Sequence, residues 1–189
     1  SYEQVKRELG RRPTYLEAHI HGSEDGSLYK QEFKSYFAFL QWAGELTDKE
    51  QEVFHRYEEW FYEVERTLMN KSYKMVLLLA MLERGPDNWM KPISDTEAAP
   101  FFHYYLMEKD YRKKIDFSDK SSQALWDYNE KKVATKIRTM PMEKWSGDSK
   151  GLVGLDNGVF SILFDVVDED KAILFDFTKQ ICLFRLHWF

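Results

Sequence analysis

The sequence predicts a mostly α-helical fold with one small β-hairpin, and three observations support this fold class. Apolar residues recur at spacings of three and four along most of the chain, which is the period of an amphipathic helix. Thr47-Asp48-Lys49-Glu50 and Ser94-Asp95-Thr96-Glu97 are capping boxes, which mark helix starts. Near the end of the chain, Asn157-Gly158 lies between apolar flanks and favours a type I′ hairpin turn.

Residues 1–70 predict an all-helical region. We expect a first helix over Tyr2–Leu9, and Pro13 suits the first turn of a second helix. An aromatic stripe predicts a third helix over Ser27–Trp42, and an amphipathic pattern predicts a fourth over Thr47–Leu68. Acidic residues on the fourth helix are interpreted as a solvated face: Glu52, Glu58, Glu59, Glu63 and Glu65.

Residues 71–189 predict a part that is similar to a winged helix-turn-helix. Its first helix is apolar nearly all round, so we expect it to be central and buried. Thr139-Met140-Pro141 is expected to stop the third helix, since proline disrupts a helix interior. The predicted elements are helices over Tyr73–Glu83, Ser94–Met107 and Gln123–Arg138, a hairpin over Leu152–Phe164, and a last helix that Asp168 could cap.

The bulk composition excludes several classes of protein. A hydrophobic content of 43% is enough for a packed core, and a net charge of −5 excludes a uniformly basic nucleic-acid binder. Cys182 is the single cysteine, so no internal disulfide can form. The apolar run Met75–Leu82 is too short to cross a membrane, and the N-terminus lacks a signal core. The chain lacks an initiator methionine and stops at the apolar end Leu186–Phe189, so we expect a piece of a longer cytoplasmic protein.

No complete catalytic constellation is visible, so we expect no enzyme, cofactor or metal in this chain. Neither a Gly-x-x-x-x-Gly-Lys phosphate loop nor a Gly-x-Gly-x-x-Gly motif is present. The pair His19-Ile20-His21 and the acidic run Asp165–Asp170 are the two candidate metal sites. Ordinary surface histidines, and acids near a helix N-terminus, are the commoner explanations.

Basic residues are concentrated around the third helix and the hairpin, where a winged helix meets DNA. Lysine and arginine there would neutralise phosphate charge, and Asn or Gln could read adenine. The alternative is a charged solvent face. The candidate phosphate contacts are Lys131, Lys132, Lys136, Arg138, Lys144 and Lys150, with Lys109, Arg112, Lys113 and Lys114 upstream; Asn129 and Gln123 are candidate base readers, and Lys74 is a weaker candidate.

Two segments, Leu9–Glu17 and Asn70–Leu82, resemble the region that follows the helicase core in bacterial DEAD/DEAH-box helicase-like proteins. Those proteins are related to restriction-enzyme helicase subunits, and some carry a phospholipase D-like nuclease domain. The resemblance implies a parent ATP-dependent translocase, with a role in defence against foreign DNA. This chain lacks the ATPase motifs, so ATP and Mg²⁺ are expected only in the parent core.

The sequence therefore predicts a non-catalytic accessory region that contacts duplex DNA and the helicase core of the same polypeptide. The alternative is a protein-interaction module without nucleic-acid contact. In that alternative, Trp42, Trp60 and the acidic face between them would bind a basic partner.

Overall fold

The computed structural model describes residues 1–108 and 127–189, which fall into two compact units. Ser1–Arg66 and Val166–Trp188 form the first unit, and Thr67–Asp165 with Phe189 form the second. The sequence predicts one region over residues 71–189, whereas in the structure Val166–Trp188, which contains the last helix, belongs to the same unit as the N-terminal helices. Within the described ranges, no helix is both long and apolar enough to span a membrane.

The first unit is helical. Its helices are α1 (Tyr2–Leu9), α2 (Tyr15–His21), α3 (Ser27–Phe33), α4 (Tyr36–Trp42), α5 (Asp48–Arg56), α6 (Glu58–Arg66) and α11 (Lys171–Trp188). The prediction for α1 is confirmed, and Gly10 ends it in the left-handed region, with φ at 70°. Pro13 precedes α2, because Thr14 forms a capping box with Glu17 and starts the helix one residue later.

Two predicted long helices are each broken in two. Lys34 is left-handed (φ 72°), and Ser35 starts α4 by accepting the Phe37 N–H on its hydroxyl, so the expected helix over Ser27–Trp42 is wrong. The helix expected over Thr47–Leu68 breaks at Tyr57, whose backbone leaves the helical region. At both breaks the apolar residues keep their helical spacing, so the sequence pattern gives no sign that a helix ends there.

Stacked aromatic rings form the core of the first unit. The Tyr15 ring stacks on Tyr36, with 4.7 Å between centroids, and on Phe184, with 3.8 Å. Phe37 stacks on Phe177 at 3.9 Å. These contacts join α2 and α4 to α11, and aromatic pairs of this kind add stability beyond the area that they bury.

A buried carboxylate anchors the start of α11. Asp170 ends the 3₁₀ turn Asp168–Asp170 and is fully buried. Its Oδ2 accepts hydrogen bonds from the Tyr57 hydroxyl (2.6 Å) and Arg56 Nη1 (2.5 Å), and its Oδ1 accepts one from Lys49 Nζ (2.9 Å). Burial alone would raise the Asp170 pKa, but these donors outweigh it and hold the pKa at about 2. Asp168, the residue expected to cap the helix, is exposed and pairs with Lys171.

A second buried carboxylate corrects the interpretation of the acidic face. Glu65 is 1% exposed, and its Oε2 accepts the backbone N–H of Tyr36 at 3.2 Å. Burial raises the Glu65 pKa to about 7, and the nearby Tyr15 hydroxyl and Arg185 charge limit that rise. The Arg185 guanidinium donates to the backbone carbonyl of Val64 at 3.0 Å. Glu65 therefore belongs to the core and not to the solvent.

The second unit combines helices with a small antiparallel sheet, as the fold-class prediction expected. Its elements are α7 (Tyr73–Leu82), β1 (Ile93–Ser94), α8 (Asp95–Glu108), α9 (Glu130–Ile137), a π-helical turn (Arg138–Met142), α10 (Glu143–Asp148), β2 (Val153–Asp156) and β3 (Val159–Ile162). All ten residues of α7 are buried, so the prediction of a central helix is confirmed.

The hairpin prediction is also confirmed. Asn157 and Gly158 both have positive φ, at 50° and 75°, as a type I′ turn requires. Leu155 pairs with Phe160 across the hairpin, and the sequence missed β1, which adds to β3 and gives the strand order β1-β3-β2. A strand of two residues is too short to show a period.

The helix does not stop at Pro141, contrary to the prediction. It passes through the π-helical turn, in which the Glu143 N–H donates to the Arg138 carbonyl five residues earlier, and continues as α10. Because a π turn is wider than an α turn, it accommodates the proline ring, which has no N–H to donate. Residues 123–126 of the predicted third helix lie outside the described residues.

We expect Asp170→Asn to destabilise the chain by about 2–4 kcal/mol, because it removes a buried charge that three donors satisfy. The pKa of Asp170 is lower in the folded chain than in the unfolded chain. Its contribution is therefore present above about pH 4 and is lost as the pH falls towards 2. Urea unfolding at pH 2.5, 4 and 7 measures both effects.

Asp168→Asn is the matched control, because Asp168 is exposed and pairs with one lysine. Its urea midpoint should equal that of the wild type. Equal midpoints for Asp170→Asn and Asp168→Asn would contradict the anchoring role.

We expect the folded chain to lose stability as the pH rises from 4.5 to 7, because the Glu65 pKa is raised in the folded state. Below pH 4.5 the carboxyl is protonated in both states. Above pH 7 burial of the charge costs about 3 kcal/mol. Glu65→Gln should remove this decline between pH 5 and pH 8 in urea unfolding, whereas Glu59→Gln, at an exposed position of the same helix, should retain it.

Candidate nucleic-acid interface

Helix α9 presents lysines on the side opposite its core contacts. Val133, Ala134 and Ile137 are buried, and α9 packs against α8. Lys131 and Lys132 are exposed, because residues on the side of a helix away from its buried stripe point into solvent. No carboxylate of the described residues lies within ion-pair distance of either lysine. Both ammonium groups are thus open to an external anion.

The last two basic residues around α9 differ from each other. Lys136 is half-buried and has no ion-pair partner in the described part of the chain. Arg138 donates from Nη1 to Asp95 Oδ2 at 2.8 Å, and the Asp95 N–H donates to the Gly158 carbonyl. Arg138 therefore connects the π turn to the region of the hairpin turn, and an ion pair reduces its capacity to bind phosphate.

Asn129 is placed as a helix cap. Its Oδ1 accepts the backbone N–H of Lys132 at 3.1 Å, and its backbone is extended, as an N-cap requires. Bidentate recognition of adenine needs both the oxygen and the nitrogen of the side-chain amide. In this structure the side-chain oxygen of Asn129 already accepts a hydrogen bond from the first turn of α9.

Lys144 and Lys150 lie further along the chain, on and after α10. Lys144 is exposed and lies beside the buried Trp145. It lines a cavity of about 300 Å³ together with Lys71 and Lys74. Lys150 is exposed in the left-handed region, with φ at 56°, and leads into the hairpin. The structure thus places Lys144 in a concave surface and Lys150 on a loop.

Lys74, the weaker candidate, is buried and pairs with an acid of the second unit. Its Nζ donates to Thr67 Oγ1 at 2.9 Å and to Asp148 Oδ2 at 3.1 Å. Five further candidates lie outside the described residues: Lys109, Arg112, Lys113, Lys114 and Gln123.

The other candidate residues have structural partners. His19 Nδ1 accepts the Gly26 N–H at 3.0 Å, and the ranges that the structure describes contain no group of three metal-ligating side chains. Trp60 is buried and donates to Thr178 Oγ1 at 3.0 Å, so it cannot belong to a binding surface with Trp42. Trp42 itself is 73% exposed.

Residues 2–45 match a protein family described as a homing endonuclease associated repeat. The match covers under a quarter of the chain, namely α1 to α4 and the loops that join them. This part of the chain is similar to a nuclease-associated, DNA-related region. No curated protein and no solved structure matches the chain significantly.

The match overlaps one of the two segments on which the helicase resemblance rests. The segment Leu9–Glu17, which resembles helicase-related proteins, lies inside the residues that match the nuclease-associated repeat. In the structure Arg11 forms a bidentate pair with Glu17, and Arg12 forms one with Glu50. These arginines are therefore engaged within the first unit.

We expect Asn129→Ala to destabilise the chain by about 1 kcal/mol, because it removes the cap of α9. Asn129→Ser keeps a capping oxygen and should retain wild-type stability in urea unfolding. If Asn129 acts only as a cap, Asn129→Ser also retains the wild-type affinity for duplex DNA. A loss of sequence preference in Asn129→Ser, at unchanged stability, would instead identify Asn129 as a base reader.

Proposed function

We propose that this chain is a non-catalytic accessory region of a DNA-acting enzyme, and that it contacts duplex DNA through α9 and the segment that follows it. The observation that carries the proposal is a local excess of positive charge. Between Asn129 and Lys150 lie six Lys and Arg side chains and three carboxylates, although the whole chain has a net charge of −5. Local clusters of this kind bind phosphates even on an acidic protein.

Ion pairs engage one carboxylate and one arginine of this segment, so they leave the excess of positive charge unchanged. Asp148 is used by Lys74, and Arg138 is paired with Asp95. Lys131, Lys132, Lys136, Lys144 and Lys150 have no ion-pair partner among the described residues. Their counterions can be released on binding, which is the main source of affinity for DNA backbone.

Two further observations support contact with DNA. Residues 2–45 are similar to a nuclease-associated repeat, which favours a parent protein that acts on DNA. The second unit has a helix, a short strand, a helix, α9 with α10, and a hairpin, in a sheet of order β1-β3-β2. We interpret this arrangement as a winged helix-turn-helix, in which α9 faces the major groove and the hairpin is the wing.

We extend the proposal to the parent protein. The likeness of Asn70–Leu82 to helicase-related proteins favours an ATP-dependent helicase or translocase of the cytoplasm. Its motor core would bind ATP and Mg²⁺, and the present chain would dock on that core. Defence against foreign DNA is the role that this likeness favours.

A protein-interaction module is the second candidate function. Trp42 favours it, because this ring is largely exposed and contacts Phe33 at 5.2 Å between centroids. Exposed aromatic side chains are enriched at protein interfaces. The burial of Trp60 removes the other half of the surface that the sequence suggested.

The double variant Lys131→Glu, Lys132→Glu tests the proposal. We expect its affinity for a labelled duplex to fall, and the slope of log K against log salt to decrease by about 2, because two phosphate contacts are lost. Fluorescence anisotropy at several salt concentrations measures both. The fold should persist, since acids near the N-terminus of α9 favour the helix dipole.

The matched control is Lys91→Glu, Lys179→Glu, which changes the net charge equally at positions outside the α9–α10 segment. It should leave the salt slope near the wild-type value. Equal slopes for the two double variants would sink the proposed DNA contact and favour the protein-interaction module.

A further inference from the structure

One uncharged polar side chain, that of Thr135, lies at the centre of the exposed face of α9. At about 3.6 residues per turn, Thr135 follows Lys131 by one turn and precedes Arg138 by one turn. The same helical spacing places Lys132 and Lys136 on the other side of this row. Thr135 is itself exposed. Basic side chains therefore lie on both sides of an exposed threonine.

The side chain of Thr135 has no role in the fold of the described residues. Its hydroxyl forms no hydrogen bond with any residue that the structure describes, and it points away from the buried Val133 and Ile137. The next threonine of this face, Thr139, differs in this respect. Its hydroxyl donates to the backbone carbonyl of Thr135 at 2.8 Å. The hydroxyl and the methyl group of Thr135 are thus both available to a ligand.

The other polar side chains of this face are less suited to read a base. Asn129 uses its side-chain oxygen as a helix cap, and Arg138 is held in an ion pair. Lysine ammonium groups are point charges that suit phosphates. Glu130, the carboxylate of α9, lies one turn before the buried Ala134 and therefore at the edge of the exposed face. Thr135 is the residue that remains.

Threonine makes two kinds of contact with base edges in the major groove. Its hydroxyl donates a hydrogen bond to a base or accepts one, and its methyl group packs against the C5-methyl group of thymine. Phosphate contacts fix the position of a protein on a duplex, and base contacts give it a sequence preference. A central threonine between two rows of cations provides both kinds of contact.

We propose that Thr135 gives α9 its sequence preference, and that it selects thymine by contact between its side-chain methyl group and the C5-methyl group of the base. Lysines on either side hold the phosphates of the groove walls. This assignment rests on the proposed function, because Thr135 meets a base only when α9 lies on a duplex.

Two labelled duplexes of equal length test the assignment. One alternates adenine and thymine, and in the other deoxyuridine replaces every thymidine, so that only the C5-methyl groups are missing. We expect the full chain to bind the thymine duplex about fourfold more tightly, which is the effect of removing one methyl group from water. Fluorescence anisotropy at one fixed salt concentration measures both affinities.

Thr135→Ser keeps the hydroxyl and removes the methyl group, so the ratio of the two affinities should fall to about one. Thr135→Val is the matched control, because it keeps methyl groups at this position and removes the hydroxyl. It should retain the preference for thymine. The position is exposed, so both variants should fold, and urea unfolding checks this. Any difference in stiffness between the duplexes acts equally on all three proteins.

The outcomes separate this inference from the proposed function. Equal affinity of the wild type for the two duplexes, or a thymine preference that persists in Thr135→Ser, overturns the assignment to Thr135. If Lys131→Glu, Lys132→Glu still weakens duplex binding in that case, the proposed duplex contact stands alone. If neither duplex binds to the wild type, the duplex contact fails and the assignment to Thr135 fails with it.

Discussion

The carboxylate of Asp170 is the interaction on which the first unit depends. It is fully buried and accepts hydrogen bonds from Tyr57, Arg56 and Lys49, which lie more than a hundred positions earlier in the chain. An unsatisfied charge at this place would be costly, so the segment before α11 can adopt only the position in which all three donors reach it. The rest of α11 then packs on α2, α5 and α6.

The part of the chain that is similar to a nuclease-associated repeat depends on this arrangement. Tyr15, Tyr36 and Phe37 belong to residues 2–45, and they stack on Phe184 and Phe177 of α11. The core of this part is therefore completed by residues from the other end of the sequence. Arg11 and Arg12 of this part are also engaged in internal ion pairs, which is why we propose the DNA contact at α9 instead.

The basic side chains of the second unit fall into two groups. Lys74 and Arg138 pair with acids and connect elements of the unit, whereas Lys131, Lys132 and Lys144 extend from helix surfaces without such partners in the described chain. The apolar helix α7 makes this possible, because it supplies a core against which α8 and the π turn pack. The fold of this unit therefore does not depend on these lysines, and their charges are available to bind an anion.

The sequence by itself determined the features that depend on neighbours within a few residues. These are the caps at Thr47 and Ser94, the Asn157-Gly158 turn and the apolar character of α7. It also identified the exposed lysines of α9, because a helical period places them opposite a buried stripe. Sequence patterns predict a feature correctly where its free energy depends mainly on residues within one helical turn or one hairpin turn.

Only the tertiary structure decided the remaining features. The break at Tyr57, the burial of Glu65, the pairing of Arg138 and the grouping of α11 with α1 to α6 all involve partners far apart in sequence. The cavity beside Lys144 likewise needs residues 68–74 and 140–148 to meet. The free energies of such contacts depend on burial and distance, which no local pattern of residue types records.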